Sequence, residues 1–197
     1  IVSKLQLKLS GESEQKLAKK YTDNSEAYQL YLQGRFHWNK REINEFEKAI
    51  VFFKQAIEKD PNYALAYSGL ADTYGLFPRF GVFRPKEYMP QAKAAALKAL
   101  ELDPNLAEAH TSLAQIALFY EYDFTGAEKS FKRAIELDPN YATARQWYGL
   151  LLTYIGKNDE SVREAKKAFE LDPFSLRINS DLATSLAVAN RFDEALL

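Results

Sequence analysis

Apolar residues along this chain recur at intervals of three and four, the spacing that gathers side chains on one face of a helix. That pattern is broken four times by one short phrase: Lys59-Asp60-Pro61-Asn62, Leu102-Asp103-Pro104-Asn105, Leu137-Asp138-Pro139-Asn140 and Leu171-Asp172-Pro173-Phe174. The prolines are 43, 35 and 34 residues apart. Ahead of each lies a helical stretch with small residues at fixed positions: Ala49-Phe53-Ala56, Ala92-Ala96-Ala99, Ala127-Phe131-Ala134 and Ser161-Ala165-Ala168. Proline cannot continue a helix and drives the preceding Asp out of the α region, so each helix is predicted to stop at the phrase. The Asn that follows in three copies is expected to cap the next helix. The small residues let neighbouring helices approach closely, and the aromatic between them fills the gap.

A second helix is predicted between each phrase and the next Ala run. Tyr67, Leu70, Ala71 and Tyr74 mark it in one copy, and His110, Leu113, Ala114 and Ala117 in the next, with a one-residue insertion before Ala127. Tyr148-Gly149 with Gly156, and Leu182-Ala183 with Phe192 and Ala195, fit further copies. Leu30, Gly34 and the aromatics near Trp38 fit a first copy whose inter-helix segment is about three residues longer. These spacings resemble the W-x-x-L-G-x-x-Y signature of tetratricopeptide repeats, over roughly residues 25 to 197. The resemblance implies an all-α fold, a right-handed α-solenoid of stacked antiparallel helix pairs. The expected repeats run about 25–60, 62–103, 105–138 and 140–172, with a truncated fifth over 174–197. Residues 1–24 form a lead-in or linker, with a short polar helix over Ser13 to Tyr21. Asp23 and Glu26 have capping-box spacing for the first repeat helix. A chain that begins Ile1-Val2-Ser3-Lys4 and stops inside a repeat is expected to be a fragment of a longer protein. The uncovered fifth repeat is expected to pair with a further helix or to self-associate.

The wording around the repeats resembles something narrower. Residues 27–40, Ala27-Tyr28-Gln29-Leu30-Tyr31-Leu32-Gln33-Gly34-Arg35-Phe36-His37-Trp38-Asn39-Lys40, are similar to a stretch recurrent in large bacterial signalling proteins, as are residues 142–149. In that group such repeats lie C-terminal to an effector: a winged-helix DNA-binding domain, a class III adenylate cyclase or a serine/threonine kinase. The resemblance implies the sensor or scaffold segment of a regulator.

Composition narrows the function further. Of 197 residues 47% are hydrophobic and 27% charged, and the formal net charge is -1. That balance gives no electrostatic reason to expect nucleic acid or an anionic membrane as partner. Cysteine is absent, which excludes disulfides, thiolate metal sites and a cysteine nucleophile. No apolar run approaches the roughly eighteen residues that span a bilayer, so direct membrane insertion is not expected. A cysteine-free chain suits cytoplasm and periplasm equally; a cytoplasmic location is expected, or a periplasmic one where the parent has a transmembrane segment. The only histidines are His37 and His110. His110 occupies a large-aromatic repeat position and reads as a packed side chain. His37 lies between Phe36 and Trp38 with no acidic or thiol cluster of metal-site spacing. Gly81 stands alone, without phosphate-loop spacing. Glu12, Glu14, Glu121, Asp123, Asp159 and Glu160 fall at helix starts and loops. No catalytic set, metal or cofactor is expected, and the chain reads as a binding module rather than an enzyme.

A protein or peptide partner is expected on the concave surface lined by the first helices. Counting along the repeats, that surface should present Tyr28, Tyr31, Arg35 and Trp38, then Leu65, Ser68 and Asp72, then Glu108, Thr111, Gln115 and Phe119. Thr143, Gln146, Leu150 and Tyr154 follow, and Arg177, Ser180 and Thr184 close the run. Repeats that grip a free carboxylate terminus carry Lys, Arg and Asn at several of these positions. Here Ser, Thr, Gln and aromatics predominate, which suits an extended peptide or an amphipathic helix. Tyr28, Tyr31 and Trp38 have a second reading, as a cap on the N-terminal segment. The insertion from about Leu76 to Pro90 holds Phe77, Phe80, Phe83 and Tyr88 with Arg79, Arg84 and Lys86. Those residues read either as an interface loop or as aromatics folded back over adjacent helices. A solenoid that senses a small molecule in its aromatic groove is the alternative function.

Overall fold

A computed structural model of the chain describes residues 21–80 and 84–195. Of the lead-in expected over residues 1–24, residues 1–20 lie outside the described residues. Ten α-helices follow in antiparallel pairs: α1 (Ser25–Asn39) with α2 (Ile43–Lys59), α3 (Ala64–Leu76) with α4 (Pro85–Leu102), and α5 (Ala107–Ile116) with α6 (Phe124–Leu137). α7 (Ala142–Tyr154) pairs with α8 (Asn158–Leu171), and α9 (Leu176–Val188) with the short α10 (Phe192–Ala195). Among the described residues there is no strand. Each first helix touches the first helix of the next pair, while the second helices make no comparable contact with one another. A stack joined more closely along one layer curves toward it, so α1, α3, α5, α7 and α9 form the concave layer.

The Asp-Pro phrase works through the Asp more than through the Asn. Asp60, Asp103, Asp138 and Asp172 end their helices in extended or near-extended geometry, as a following Pro requires. Each still donates its N–H to the Ala carbonyl four residues back, at 2.8–3.0 Å. In three copies the Asp carboxylate accepts the N–H of Asn62, Asn105 or Asn140 at 3.0–3.1 Å, an Asx turn. The expectation that these Asn side chains cap the next helix is corrected. The N-cap falls one residue later, on Tyr63, Leu106 and Tyr141, with no side-chain cap bond. At α1 the cap also moves by one: Asn24, rather than Asp23, accepts from the Glu26 and Ala27 N–H groups at 3.0 Å.

A second bond recurs above the turn. His110 shares a hydrogen bond with the Pro104 carbonyl at 3.0 Å, Arg145 donates to Pro139 at 2.9 Å, and Asn179 to Pro173 at 3.0 Å. All three occupy the large-aromatic position of their repeats, so a polar side chain there satisfies a carbonyl that proline-ended turns leave open.

The small-residue code is buried throughout. Every member of the four predicted triplets is 4% exposed or less. Phe53 shows what the code accommodates: a Cβ added to Gly34 of α1 or to Gly69 of α3 would lie 2.5 Å from its ring. Phe53 therefore occupies a slot that two glycines open from opposite helices.

Four of the first helices, α1, α5, α7 and α9, close on a left-handed residue. Arg41, Tyr122, Asn190 and Gly156 have φ of 58°, 56°, 58° and 77°, a region where only glycine carries no steric cost. The one-residue insertion before Ala127 is absorbed at the end of α5. There Ala117–Glu121 widen into a single π-helical turn, a device that takes up one residue without breaking the helix.

The second insertion corrects the expected loop. Phe77–Phe80 form a 3-10 turn, and Pro85 begins α4, so Pro85 to Pro90 are helical. Pro suits the first helical position, where its missing N–H would have no partner in any case.

Candidate functional site

The concave layer divides into residues that join the helices and residues that remain open. Ser68, Asp72, Thr111, Gln115 and Gln146 are buried between adjacent first helices, as is Leu65. The Thr111 hydroxyl is bonded to the Ala107 carbonyl at 2.9 Å. These positions face the neighbouring helix because the inner layer packs helix on helix. Trp38 is likewise covered, at 2% exposure, with the Arg41 and Arg35 guanidinium groups 3.6 and 4.1 Å from its ring centroid. Tyr31 is half-buried against Phe53 and Tyr63, with ring centroids 5.9 and 5.3 Å away. Burial pushes its phenol up to about 12. The open surface is carried by Tyr28 and Tyr154, 50% and 56% exposed, with Arg35, Phe119 and Leu150 partly exposed between them.

Two polar stitches run along this layer. Arg35 of α1 donates to Asp72 of α3 at 3.1 Å, and Ser112 of α5 donates to the same carboxylate at 2.6 Å. Burial raises the Asp72 carboxyl above its usual value, against the pull of Arg35 and Ser112. Glu108 is raised for the same first reason. Burial opposes the charge of Arg35, but Tyr31, Tyr141, Asp72 and Glu108 outweigh it and hold the guanidinium charged. At the other end Gln146 of α7 donates to Asp181 of α9 at 2.7 Å, and Arg177 pairs with Asp181 at 3.0 Å.

The residues of the expected loop separate. Phe77 is buried against Phe46 at 6.0 Å and against Tyr88 at 5.1 Å, and Tyr88 also meets Tyr74 at 6.0 Å. Phe77 and Tyr88 thus pack against the adjacent helices. Arg84 is the exposed N-cap of α4. Phe83 and the side chain of Phe80 lie outside the described residues. Arg79 turns into the concave layer, 4.3 Å from the Phe119 ring and 5.1 Å from Trp147. Phe119 meets Trp147 and Tyr154 edge-on at 5.7 and 6.2 Å.

Sequence reasoning missed Arg41. It lines one cavity of about 310 Å³ with Leu76, Arg79, Trp147 and Arg177. Its signal was available in part, as a charged residue in the turn between two predicted helices, but nothing in the periodicity tells where such a turn points. His37 bonds Glu45 at 2.8 Å and stacks on Phe52. Lys40, Lys48 and His37 hold the Glu45 carboxyl down at about 2. Among the described residues no three His, Cys, Asp or Glu gather as a metal site, and no helix is long and apolar enough to cross a membrane.

Comparison with known proteins agrees with this architecture. A profile described as TPR repeat matches residues 40–76, and one described as tetratricopeptide repeat matches residues 107–141. Both matches are tetratricopeptide repeats, which indicate a protein–protein interaction module, and the described residues stack as an all-α solenoid of helix pairs. The chain is 28% identical over 144 residues to the transcriptional regulator HilA of Salmonella typhimurium, and equally to HilA of Salmonella typhi. That alignment covers 73% of this chain and 26% of the regulator. Among solved structures it is similar to TTC0263, a thermophilic TPR protein of Thermus thermophilus, with TM-score 0.67, 23% identity and 84% of each chain covered. MamA is similar at TM-score 0.52 and 24% identity, over 81% of this chain and 88% of MamA. At such identities these two likenesses speak to the fold alone.

Proposed function

We propose that this chain is the partner-binding segment of a larger bacterial regulatory protein and grips a segment of another protein along its concave layer. The observation that carries the reading is the set of open side chains Tyr28, Phe119, Leu150 and Tyr154 on an inner layer where Arg35, Asp72, Ser112, Gln146 and Asp181 are tied up in the two stitches. Aromatic anchors on a rigid surface are what protein interfaces use. The partial likeness to a transcriptional regulator supports a regulatory parent. The site carries no catalytic assignment, and a net charge of -1 argues against nucleic acid. A cytoplasmic parent fits this role.

Photo-crosslinkers placed at Tyr28 or Tyr154 should capture a specific partner in cells, whereas those placed at Val51 or Leu97 should not. Capture should be lost in Phe119→Ala. Equal capture from both sets of positions counts against the groove. A second reading, small-molecule sensing, draws on the cavity beside Trp147, whose volume is near the lower end of ligand sites. A thermal-shift screen in which nothing raises the melting temperature would remove it. Phe174 and Leu176, 92% and 86% exposed at the start of the fifth repeat, support self-association at that end. Light scattering that finds only monomer at high concentration excludes it.

A further inference from the structure

Arg41, Arg79 and Arg177 come from three different repeats: the turn after α1, the 3-10 turn after α3, and the first turn of α9. All three line the same cavity of about 310 Å³. Only Arg177 has a carboxylate partner, Asp181, and that carboxylate is shared with Gln146. Arg41 and Arg79 pair with no acid among the described residues; each lies over aromatic rings instead. A guanidinium stacked on a ring keeps its N–H edge free and loses little freedom when it binds an anion. Desolvation and the neighbouring Arg35 lower Arg41 to about 10. Desolvation and Arg177 lower Arg79 as well, although its edge reaches solvent. Like charges are thus held close together in a partly desolvated site. Trp147, 2% exposed and lining the same cavity, has an indole N–H with no acceptor among the described residues.

We propose that Arg41, Arg79 and Arg177 form an acid-recognition site that takes Asp or Glu side chains of a partner segment whose acids alternate with large apolar residues. The inference rests on reading the concave layer as a protein-binding surface. Three separate guanidinium groups match more than one carboxylate, which a lone chain terminus does not supply. Phe119, partly exposed beneath Arg79, and the open Tyr154 that meets it match the apolar residues of such a segment. A polyphosphate backbone fits less well, because Asp72 and Glu108 belong to the same concave layer.

The test is fluorescence anisotropy with a labelled peptide of alternating Glu and Leu, its Gln/Leu and Lys/Leu counterparts, and sodium sulfate as a small competing anion. The Glu/Leu peptide should bind, and more tightly as salt is lowered. Arg79→Gln and Arg177→Gln should each weaken it about tenfold, and Arg79→Lys should keep part of the affinity and its salt dependence. Arg41→Gly removes the charge while suiting the left-handed backbone at that position, so it separates lost binding from lost fold; melting curves check each variant. Equal binding of the Glu/Leu and Gln/Leu peptides, or affinity unchanged in the Arg variants, overturns acid recognition. In either case a bound peptide leaves the protein-binding reading standing. Sulfate binding with no peptide bound marks a small-anion site and overturns the proposal. Failure of the groove crosslinks, by contrast, removes the underlying reading itself.

Discussion

Phe53 in the first repeat and Ala165 in the fourth hold the same position in their helices, yet their surroundings are opposite. Around Phe53, Gly34 and Gly69 have given up their side chains so that one ring fits between α1 and α3. Around Ala165, Gly149 has ordinary room: a Cβ there would lie 3.8 Å from the Ala165 Cβ and 3.4 Å from the Ser161 carbonyl. Hydroxyls fill the remaining space, with Thr153 and Ser161 at 2.7 Å and Ser161 and Ser185 at 3.0 Å. The repeat rule thus fixes total volume at each slot rather than residue identity. One slot is filled by a single large side chain and two missing ones, the other by small groups joined by hydrogen bonds.

The sharpest way to break this contrast is Phe53→Ala, which should lower unfolding free energy by about 3–5 kcal/mol in urea titrations. The stitch over the same helices comes next. Arg35→Met leaves the buried Asp72 without its cation, bonded only to the Ser112 hydroxyl, and should cost about 3 kcal/mol, whereas adding Asp72→Leu should recover most of the loss. The matching change at the more open end, Arg177→Met, should stay within about 1 kcal/mol. Gly69→Ala should cost about 2 kcal/mol, the overpacking exceeding its gain in helix propensity. That cost should vanish in a Phe53→Ala background, where the new methyl enters vacated space. Gly149→Ala should be neutral or stabilising by up to about 1 kcal/mol; a loss as large as at Gly69 would end the comparison. The smallest effect is in acid. Glu45, held at about 2 from an ordinary 4.5, favours the fold only while ionised. The stability gap between the wild type and Glu45→Gln should therefore be full above about pH 4.5 and close as pH falls toward 2.

Much of this architecture was legible beforehand, because the Asp-Pro turns and the Ala-Phe-Ala triplets are local rules repeated in register. The first-helix count also named Tyr28, Leu150 and Tyr154, which are exposed or partly exposed. It misjudged accessibility at Ser68, Thr111 and Gln146, because periodicity tells which face a residue occupies but not how closely the next helix lies upon it. The caps shifted by one residue for a similar reason. Asp60 uses its carboxylate on the Asn62 N–H, and a pattern of residue types does not say which of two competing acceptors wins. Arg41 and Arg79 belong to turns, whose direction depends on the packing of helices far away in sequence.

The π-helical turn at Ala117–Glu121 has a consequence for phase. In an unbroken helix an added residue would turn everything after it by about 100° around the axis; the wider turn takes that residue up instead. Phe119 lies within the turn and meets Arg79, Trp147 and Tyr154. Deleting one residue after Phe119 should therefore restore an unbroken helix while keeping that ring in the repeat position it shares with Tyr154, so that the inner wall tolerates a repeat of either length.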